Sequence, residues 1–202
     1  TDGGYIMGGY SFSGEEGDKS QDSRGLSDYW IVKTDAAGNK QWDRRFGGTS
    51  DDDLSSIQQT MDCGYIIGGF SFSGANGDKS QGSRGASDYW IVKTDGVGVK
   101  QWDKRFGGAS SDSMKSIIQC PEGGYILAGV SLSDAGGDRS DSTRGGTDYW
   151  AVRLDAAGSK MWDAAMGGAL NDELLVAQPL LGWGGFCLAG SSLSNTGGNK
   201  SE

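Results

Sequence analysis

Histidine is absent from this chain, and proline, cysteine and long apolar runs are scarce. Its 202 residues include no His, only 2 Pro and only 3 Cys. Without histidine, Ser-His-Asp and Cys-His catalysis, imidazole acid–base chemistry and histidine metal ligands are all excluded. No apolar run approaches the roughly 18 residues that a membrane-spanning helix needs, so we expect no insertion into a membrane.

The charge balance is strongly acidic. Asp and Glu total 27 against 18 Lys and Arg, which leaves a formal net charge of −9 at pH 7. An acidic surface repels phosphate backbones, and we therefore expect no nucleic-acid partner. Glycine is abundant, at 37 residues, but the glycines recur at fixed positions together with 7 Trp, 7 Tyr and 6 Phe. This composition indicates an ordered, turn-rich protein rather than a disordered one.

One hexapeptide occurs three times at a constant spacing. It begins at Asp28, Asp88 and Asp148, which are 60 positions apart, and it reads Asp-Tyr-Trp-(Ile/Ala)-Val-(Lys/Arg). A fixed period of this kind is the signature of a repeat architecture. We divide the chain into four repeats, the last of them incomplete, with these approximate bounds: 1–50, 51–110, 111–170 and 171–202.

Each repeat carries four short β-rich runs that are separated by turn residues. In repeat two the runs cover 55–60, 65–72, 88–94 and 100–106, and they are rich in Ile, Val, Thr, Tyr, Trp and Phe. Acidic-Gly-Gly and Asp-x-x-Gly segments predict tight hairpins, and a long polar loop joins runs two and three. Four consecutive apolar residues in the third run indicate a strand that is covered on both faces.

Four-stranded antiparallel sheets stacked face against face provide that cover. The sequence therefore predicts an all-β fold, a β-propeller with one blade of about 60 residues per repeat. A β-solenoid is the alternative, although its coils are much shorter. The chain holds thirteen predicted strands, three blades plus a fraction, so we expect one domain, 1–202, that forms a partial ring. Because Thr1 falls within a repeat and is not Met, we expect a processed chain or a fragment.

Three motifs taken together resemble a known repeat family. They are Asp-Gly-Gly-Tyr-Ile at 2–6, Asp-Tyr-Trp-Ile-Val-Lys at 28–33, and Phe-Gly-Gly at 46–48 with Asp52 after it. As a group they resemble a β-propeller repeat of secreted and surface proteins in Bacteroidetes and some archaea, over essentially the whole chain. The resemblance implies a secreted or cell-surface propeller, often within a large multidomain protein. No general activity is attached to that family.

Charged residues recur in the long loop between the second and third strands, and loops on a rigid scaffold commonly carry function. As candidate ligand-binding residues we take the non-repeated Trp183 and this periodic set: Asp18, Lys19, Arg24, Asp78, Lys79, Arg84, Asp138, Arg139 and Arg144. Their polar character suits a protein or a glycan ligand. The structural alternative is that Arg24, Arg84 and Arg144 hold the loop to a nearby carboxylate by bidentate bonds.

A second periodic set follows the Gly-Gly turn and consists of Asp52, Asp112 and Asp172. One hypothesis makes each of them part of a Ca²⁺ site, with carboxylates and loop carbonyls as ligands. EF-hand-like spacing is not present, and the competing interpretation is that each Asp caps the backbone of its turn. We expect no other cofactor.

Two tryptophans recur in the third and fourth strands of the repeats. We expect them to pack between blades, and the alternative is a set of exposed platforms for sugar rings. The cysteines, at 63, 120 and 187, lie at three different positions of the repeat. This scatter favours free or partly buried thiols over a disulfide or metal framework.

These observations predict a non-catalytic binding or adhesion module of a secreted or cell-surface protein, whose loops engage protein or glycan. A structural alternative is a spacer or assembly element that completes a propeller with another chain or with the rest of its own chain. A carboxylate-based hydrolase is the third hypothesis. It needs an acidic pair that is not repeated in every blade, and the candidates are Glu15 with Glu16 or Asp172 with Glu173.

Overall fold

The chain folds into β-strands and turns. The computed structural model describes residues 2–180, 185–195 and 197–199. These residues contain thirteen strands and no helix, and hence no helix that could span a membrane. The predicted all-β class and the predicted number of strands are confirmed.

Repeats one and two each form an antiparallel sheet. Repeat one has three strands in the order β1–β2–β3: β1 (Tyr5–Ser11), β2 (Asp28–Thr34) and β3 (Lys40–Phe46). Repeat two has four strands in the order β4–β5–β6–β7: β4 (Asp52–Gln59), β5 (Tyr65–Ser71), β6 (Asp88–Thr94) and β7 (Lys100–Phe106). Consecutive strands are neighbours within each sheet, including the second and third strands, which a long loop connects.

Repeats three and four follow the same plan. Repeat three has the sheet order β11–β10–β9–β8: β8 (Asp112–Gln119), β9 (Tyr125–Ser131), β10 (Asp148–Leu154) and β11 (Lys160–Met166). Repeat four pairs two strands: β12 (Asp172–Pro179) and β13 (Phe186–Ser192). Four-stranded antiparallel sheets that recur with the sequence period are the blades of a partial β-propeller, so the predicted fold class is confirmed.

The first strand of a repeat starts earlier than the sequence predicts. In repeat two β4 begins at Asp52 rather than at 55, and Asp52 pairs with Ser71. A β-bulge shifts the register between Leu54 and Ser56, and equivalent bulges interrupt β8 and β12. The bulge breaks the alternation that sequence reasoning relies on, so the polar residues before it look like a turn.

The hairpin between the third and fourth strands is built by an Asp-x-x-Gly segment. Asp35 Oδ1 accepts hydrogen bonds from the backbone N–H groups of Ala37 and Asn39, both at 2.9 Å. The glycine of this turn has a positive φ in every complete repeat, a conformation that glycine adopts without steric cost. The three values are +86° at Gly38, +79° at Gly98 and +80° at Gly158.

The chain divides into two compact units, each with its own core. Unit one comprises 1–83 and 90–105, and unit two comprises 84–89 and 106–202. In unit one, β1 and β2 lie against β4. The core of unit one consists of Tyr29, Ile31, Phe46, Leu54, Tyr65, Ile67, Trp90 and Val92. In unit two, β12 lies against β8, β9 and β10. The core of unit two consists of Ile118, Cys120, Ile126, Ala128, Val130, Leu174 and Ala177.

Candidate functional site

A buried cation organises the long loop in the complete repeats. In repeat two the ammonium group of Lys79 donates to Ser71 Oγ (2.7 Å), Ser83 Oγ (2.8 Å) and the Ser73 carbonyl oxygen (3.0 Å). The side chain is buried, so its ammonium group is hydrogen-bonded inside the loop rather than offered to solvent. A bond network of this kind fixes the loop in one conformation.

The equivalent residues of repeats one and three are also buried. Lys19 donates to the Ser13 carbonyl (2.5 Å) and to Ser23 Oγ (2.6 Å), and burial lowers its pKa. Arg139 takes this position in repeat three, where its guanidinium lies 5.9 Å from the centre of the Trp150 ring. Three of the predicted ligand-binding residues therefore face the interior of their own repeat.

The predicted arginines link neighbouring loops. In unit one, Arg24 Nη1 lies 3.0 Å from Asp78 Oδ1, and Asp78 Oδ2 accepts from Arg45 Nη1 (3.0 Å) and from the backbone N–H of Gly47 (3.2 Å). The Arg thus ties the loop of its own repeat to a carboxylate in the loop of the next repeat. Asp18 has no earlier loop of this kind to join in the described residues, and its side chain is exposed.

Unit two has the same link between repeats two and three, but not between repeats three and four. Arg84 Nη1 lies 2.6 Å from Asp138 Oδ2 and also donates to the Gly107 carbonyl at 3.2 Å. In repeat four the acidic position is occupied by Asn199, and Arg144 Nη1 donates to the Ala165 carbonyl instead (3.2 Å). Arg24, Arg84 and Arg144 are the more exposed cations of the predicted set, so ligand binding there stays a prediction.

An aspartate that is not among the predicted site residues connects loop, strand and tryptophan. Asp163 accepts from Trp150 Nε1 (3.0 Å), from the Ser140 N–H (2.9 Å) and from Lys160 Nζ (2.7 Å). Burial raises the pKa of Asp163, but these bonds outweigh it and lower the pKa to about 2. Asp43 and Asp103 make the same bond to Trp30 and Trp90, 13 residues earlier. That constant spacing was the available signal.

The predicted metal-site residues cap the Gly-Gly turn. Asp52 Oδ2 accepts from the Gly48 N–H (2.7 Å) and from Ser73 Oγ (2.8 Å), and Asp112 and Asp172 make the equivalent bonds. Burial raises the pKa of Asp52 and Asp112. Over the described ranges, no three His, Cys, Asp or Glu side chains group as they would around a metal ion. Calcium binding by these residues stays a prediction.

The aspartate that opens the third strand explains the Phe-Gly-Gly motif. Asp28 is fully buried, and its Oδ2 accepts from the Arg24 N–H at 2.5 Å. Burial raises its pKa. A Cβ atom on Gly47 would lie 1.8 Å from Asp28 Oδ1, so only glycine fits beside this carboxylate. The motif is therefore a packing requirement of the blade.

The tryptophans are mostly packed. Trp90 and Trp150 are fully buried, and Trp42 meets Tyr65 edge to face with ring centres 5.9 Å apart. Trp162 is half-exposed and stacks on Phe186. Trp183, predicted as a ligand-binding residue, lies outside the described residues. The cysteines are free thiols, exposed at 63 and 187 and buried at 120.

The acidic pairs of the hydrolase hypothesis are placed differently from each other. Glu15 and Glu16 are both exposed on the first long loop. Asp172 is buried as a turn cap, whereas its neighbour Glu173 is exposed. Neither location gives a pair of carboxylates enclosed in one cleft, which acid–base hydrolysis uses.

One face of the repeat-one sheet is open. We call it the acceptor face and define it by Tyr5, Met7, Trp30 and Val32. Met7 pairs with Val32 across β1 and β2, and paired residues share a face. Met7, Trp30 and Val32 line a cavity of about 480 Å³. Tyr5 is 62% exposed and Met7 is 53% exposed, so two large apolar side chains lie open on this face.

A second apolar feature recurs where the second strand ends. We call it the apolar rim. It comprises Phe12 and Phe72 of unit one, with exposures of 67% and 44%. In unit two the equivalent residues are Leu132 and Leu193, with exposures of 45% and 70%. A backbone bond fixes the position, for example from the Phe72 N–H to the Asp51 carbonyl at 2.9 Å. Sequence analysis missed the rim because an apolar residue after a strand reads as part of the core.

Comparison with known proteins gives distant similarities. No family model matches the chain. The regulatory protein FlaEY of Caulobacter vibrioides is 27% identical over 114 residues, which cover 54% of this chain and 12% of that protein. A Bacteroides caccae protein of unknown function has a TM-score of 0.35 at 8% identity, over 77% of this chain and 63% of that one. An ACO/RPE65 chimera has a TM-score of 0.36 at 14% identity, over 70% and 33%.

Proposed function

We propose that this chain is a non-catalytic structural module of a secreted or cell-surface protein, and that its incomplete sheets associate with further propeller blades. The observation that carries this proposal is the acceptor face. In repeat two the equivalent residues Tyr65 and Ile67 are 3% and 0% exposed, because they lie in one core with Tyr29 and Ile31 of repeat one. The equivalent surface of repeat one is suited to packing against a neighbouring sheet in the same way.

The loop network supports a structural role over a catalytic one. The charged loop residues that recur in the repeats are bonded within and between loops, as Lys79 and Arg24 illustrate. A catalytic site needs one asymmetric set of groups, whereas these groups repeat with the blades. Their arrangement stabilises a stack of blades.

The test is intact mass, measured on protein isolated from its natural source under denaturing and then native conditions. One chain has a mass of 21.1 kDa. A larger denatured mass supports completion by the same polypeptide, and a native multiple of 21.1 kDa supports completion by other chains. A single-chain mass under both conditions overturns the structural proposal.

The apolar rim favours a second function, in which the module binds a protein partner. Large apolar side chains exposed at the same position of successive repeats present a surface that protein partners bury. We would compare the unmodified chain with the double variant Phe12→Ser and Phe72→Ser on protein and glycan arrays. Exposed Val97 and Val99, changed to Ser, provide the matched control. Protein signals that fall only in the rim variant support this function, and equal signals in all three samples contradict it.

A further inference from the structure

The long loop of repeat two contains the one Asn-Gly pair of the sequence, at Asn76 and Gly77. Gly77 has φ of +60°, and a Cβ atom there would lie 2.2 Å from the Gly47 carbonyl oxygen, so the fold requires glycine at this position. Repeats one and three keep the glycine but not the asparagine: the preceding residue is Glu16 in repeat one and Gly136 in repeat three. The reactive pair is therefore specific to repeat two.

The two groups of this pair that can react with each other are not held by other residues. Within the described residues, no hydrogen bond involves the Asn76 amide group, whose Oδ1 atom is buried beside Gly48. The Gly77 N–H likewise donates to no residue of the described ranges, and Gly77 is exposed to solvent. Rotation of the amide is sufficient to bring it to the next backbone nitrogen, and glycine has no side chain to hinder the approach.

We propose that Asn76 and Gly77 form a site of spontaneous covalent modification that consumes only water. The Gly77 nitrogen attacks the side-chain carbonyl carbon of Asn76 and gives up its proton, and the amide nitrogen of Asn76 leaves as ammonia, which closes a succinimide ring. Water then adds to one of the two ring carbonyls and breaks that C–N bond. One opening leaves an aspartate at position 76. The other leaves an iso-aspartate, in which the main chain runs through the former side chain.

The residue that follows this site, Asp78, holds the loops of repeats one and two together. Its N–H donates to the Gly47 carbonyl oxygen (3.0 Å). Its carboxylate binds Arg24 (3.0 Å), Arg45 (3.0 Å) and the Gly47 N–H (3.2 Å). Iso-aspartate lengthens the main chain just before these contacts, so they cannot all be kept together. We therefore expect the modification to release the link between the two loops.

Storage of the full chain at mildly alkaline pH, followed by peptide mass spectrometry, tests the site. We expect the amide at position 76 to be replaced by a hydroxyl, fragmentation to show iso-aspartate, and a rate about tenfold above that at Asn39. Asn39 is the internal control, because it is exposed but precedes Lys40, and its Nδ2 donates to Asp35 Oδ2 at 2.9 Å. Equal rates at the two positions, or no reaction at position 76, overturn the inference.

The melting temperature measures the effect on the link between the loops. The fraction that carries iso-aspartate should unfold about 5–10 °C below the fresh protein, because it loses charge-assisted hydrogen bonds. Asn76→Gln closes the ring far more slowly and should keep its melting temperature on storage, whereas the matched control Asn39→Gln should age like the unmodified chain. Arg24→Gln lacks part of the link from the start and should lose less on ageing. A modified chain that melts like the fresh one overturns the proposed release.

Discussion

The second strands of repeats one and two have nearly the same sequence and very different surroundings. β1 reads Tyr-Ile-Met-Gly-Gly-Tyr-Ser and β5 reads Tyr-Ile-Ile-Gly-Gly-Phe-Ser. Tyr5 is exposed and Tyr65 is buried, although both stand at the start of their strands. In a repeat protein the burial of a strand therefore depends on whether a neighbouring sheet packs on it. The local sequence specifies only which face of the strand is suited to that packing.

Substitution of the third-strand tryptophans should give the largest difference in unfolding free energy between repeats one and two. Trp90 is fully buried beneath Tyr29, whereas Trp30 lies at the open cavity. We expect Trp90→Ala to cost about 3–5 kcal/mol of unfolding free energy and Trp30→Ala about 1–2 kcal/mol. Urea denaturation of both variants at low protein concentration measures the difference. Equal losses would mean that the cover over Trp90 contributes little.

The hydrogen bonds of Asp163 lie within repeat three, so their contribution to stability should not depend on a neighbouring repeat. Asp163 has a pKa lowered to about 2, below its value in the unfolded chain, so its contribution is present at neutral pH and is lost as the pH falls through about 2. Asp163→Asn should cost about 2 kcal/mol at neutral pH. Denaturation curves at decreasing pH should show the variant and the unmodified chain converging. A gap that persists in acid would assign the loss to packing rather than to charge.

The tyrosine hydroxyls give a finer comparison. Tyr29→Phe removes a buried bond to the Trp90 carbonyl and should cost about 1 kcal/mol, whereas Tyr5→Phe changes an exposed ring and should cost close to nothing. Thermal and urea unfolding of the pair provide the measurement. A loss in Tyr5→Phe similar to that in Tyr29→Phe would show that the acceptor face is already covered in solution.

The smallest effect concerns the hairpin before the second strand. Cys63 has φ of +63°, and the equivalent residues of repeats one and three are Gly3 and Gly123. Cys63→Gly relieves about 1–2 kcal/mol of backbone strain but adds about 0.5–1 kcal/mol of unfolded-chain entropy. We expect a net gain of about 0.5 kcal/mol in unfolding free energy. A measured loss would show that the thiol makes a favourable contact of its own.

Sequence reasoning predicted the features that depend on local pattern. The strands of repeat two at 88–94 and 100–106 agree with β6 and β7, and the Asp-x-x-Gly segments form the predicted hairpins. What it could not predict depends on partners far along the chain. Lys79 looks like a surface charge until Ser71, Ser73 and Ser83 surround it, and Asp163 looks unremarkable until Trp150 and Ser140 converge on it. The exposure of β1 is equally invisible, because its sequence matches that of the buried β5.

The bond between a tyrosine and the next tryptophan ends on a backbone oxygen. Tyr29 and Tyr89 recognise a carbonyl that every residue possesses, not the indole beside it. Duplication of a gene segment that encodes one repeat would therefore create a matching donor and acceptor in a single step, with no compensating substitution. A contact of this kind favours gain and loss of whole repeats during evolution, because it does not constrain the other surface residues of each blade.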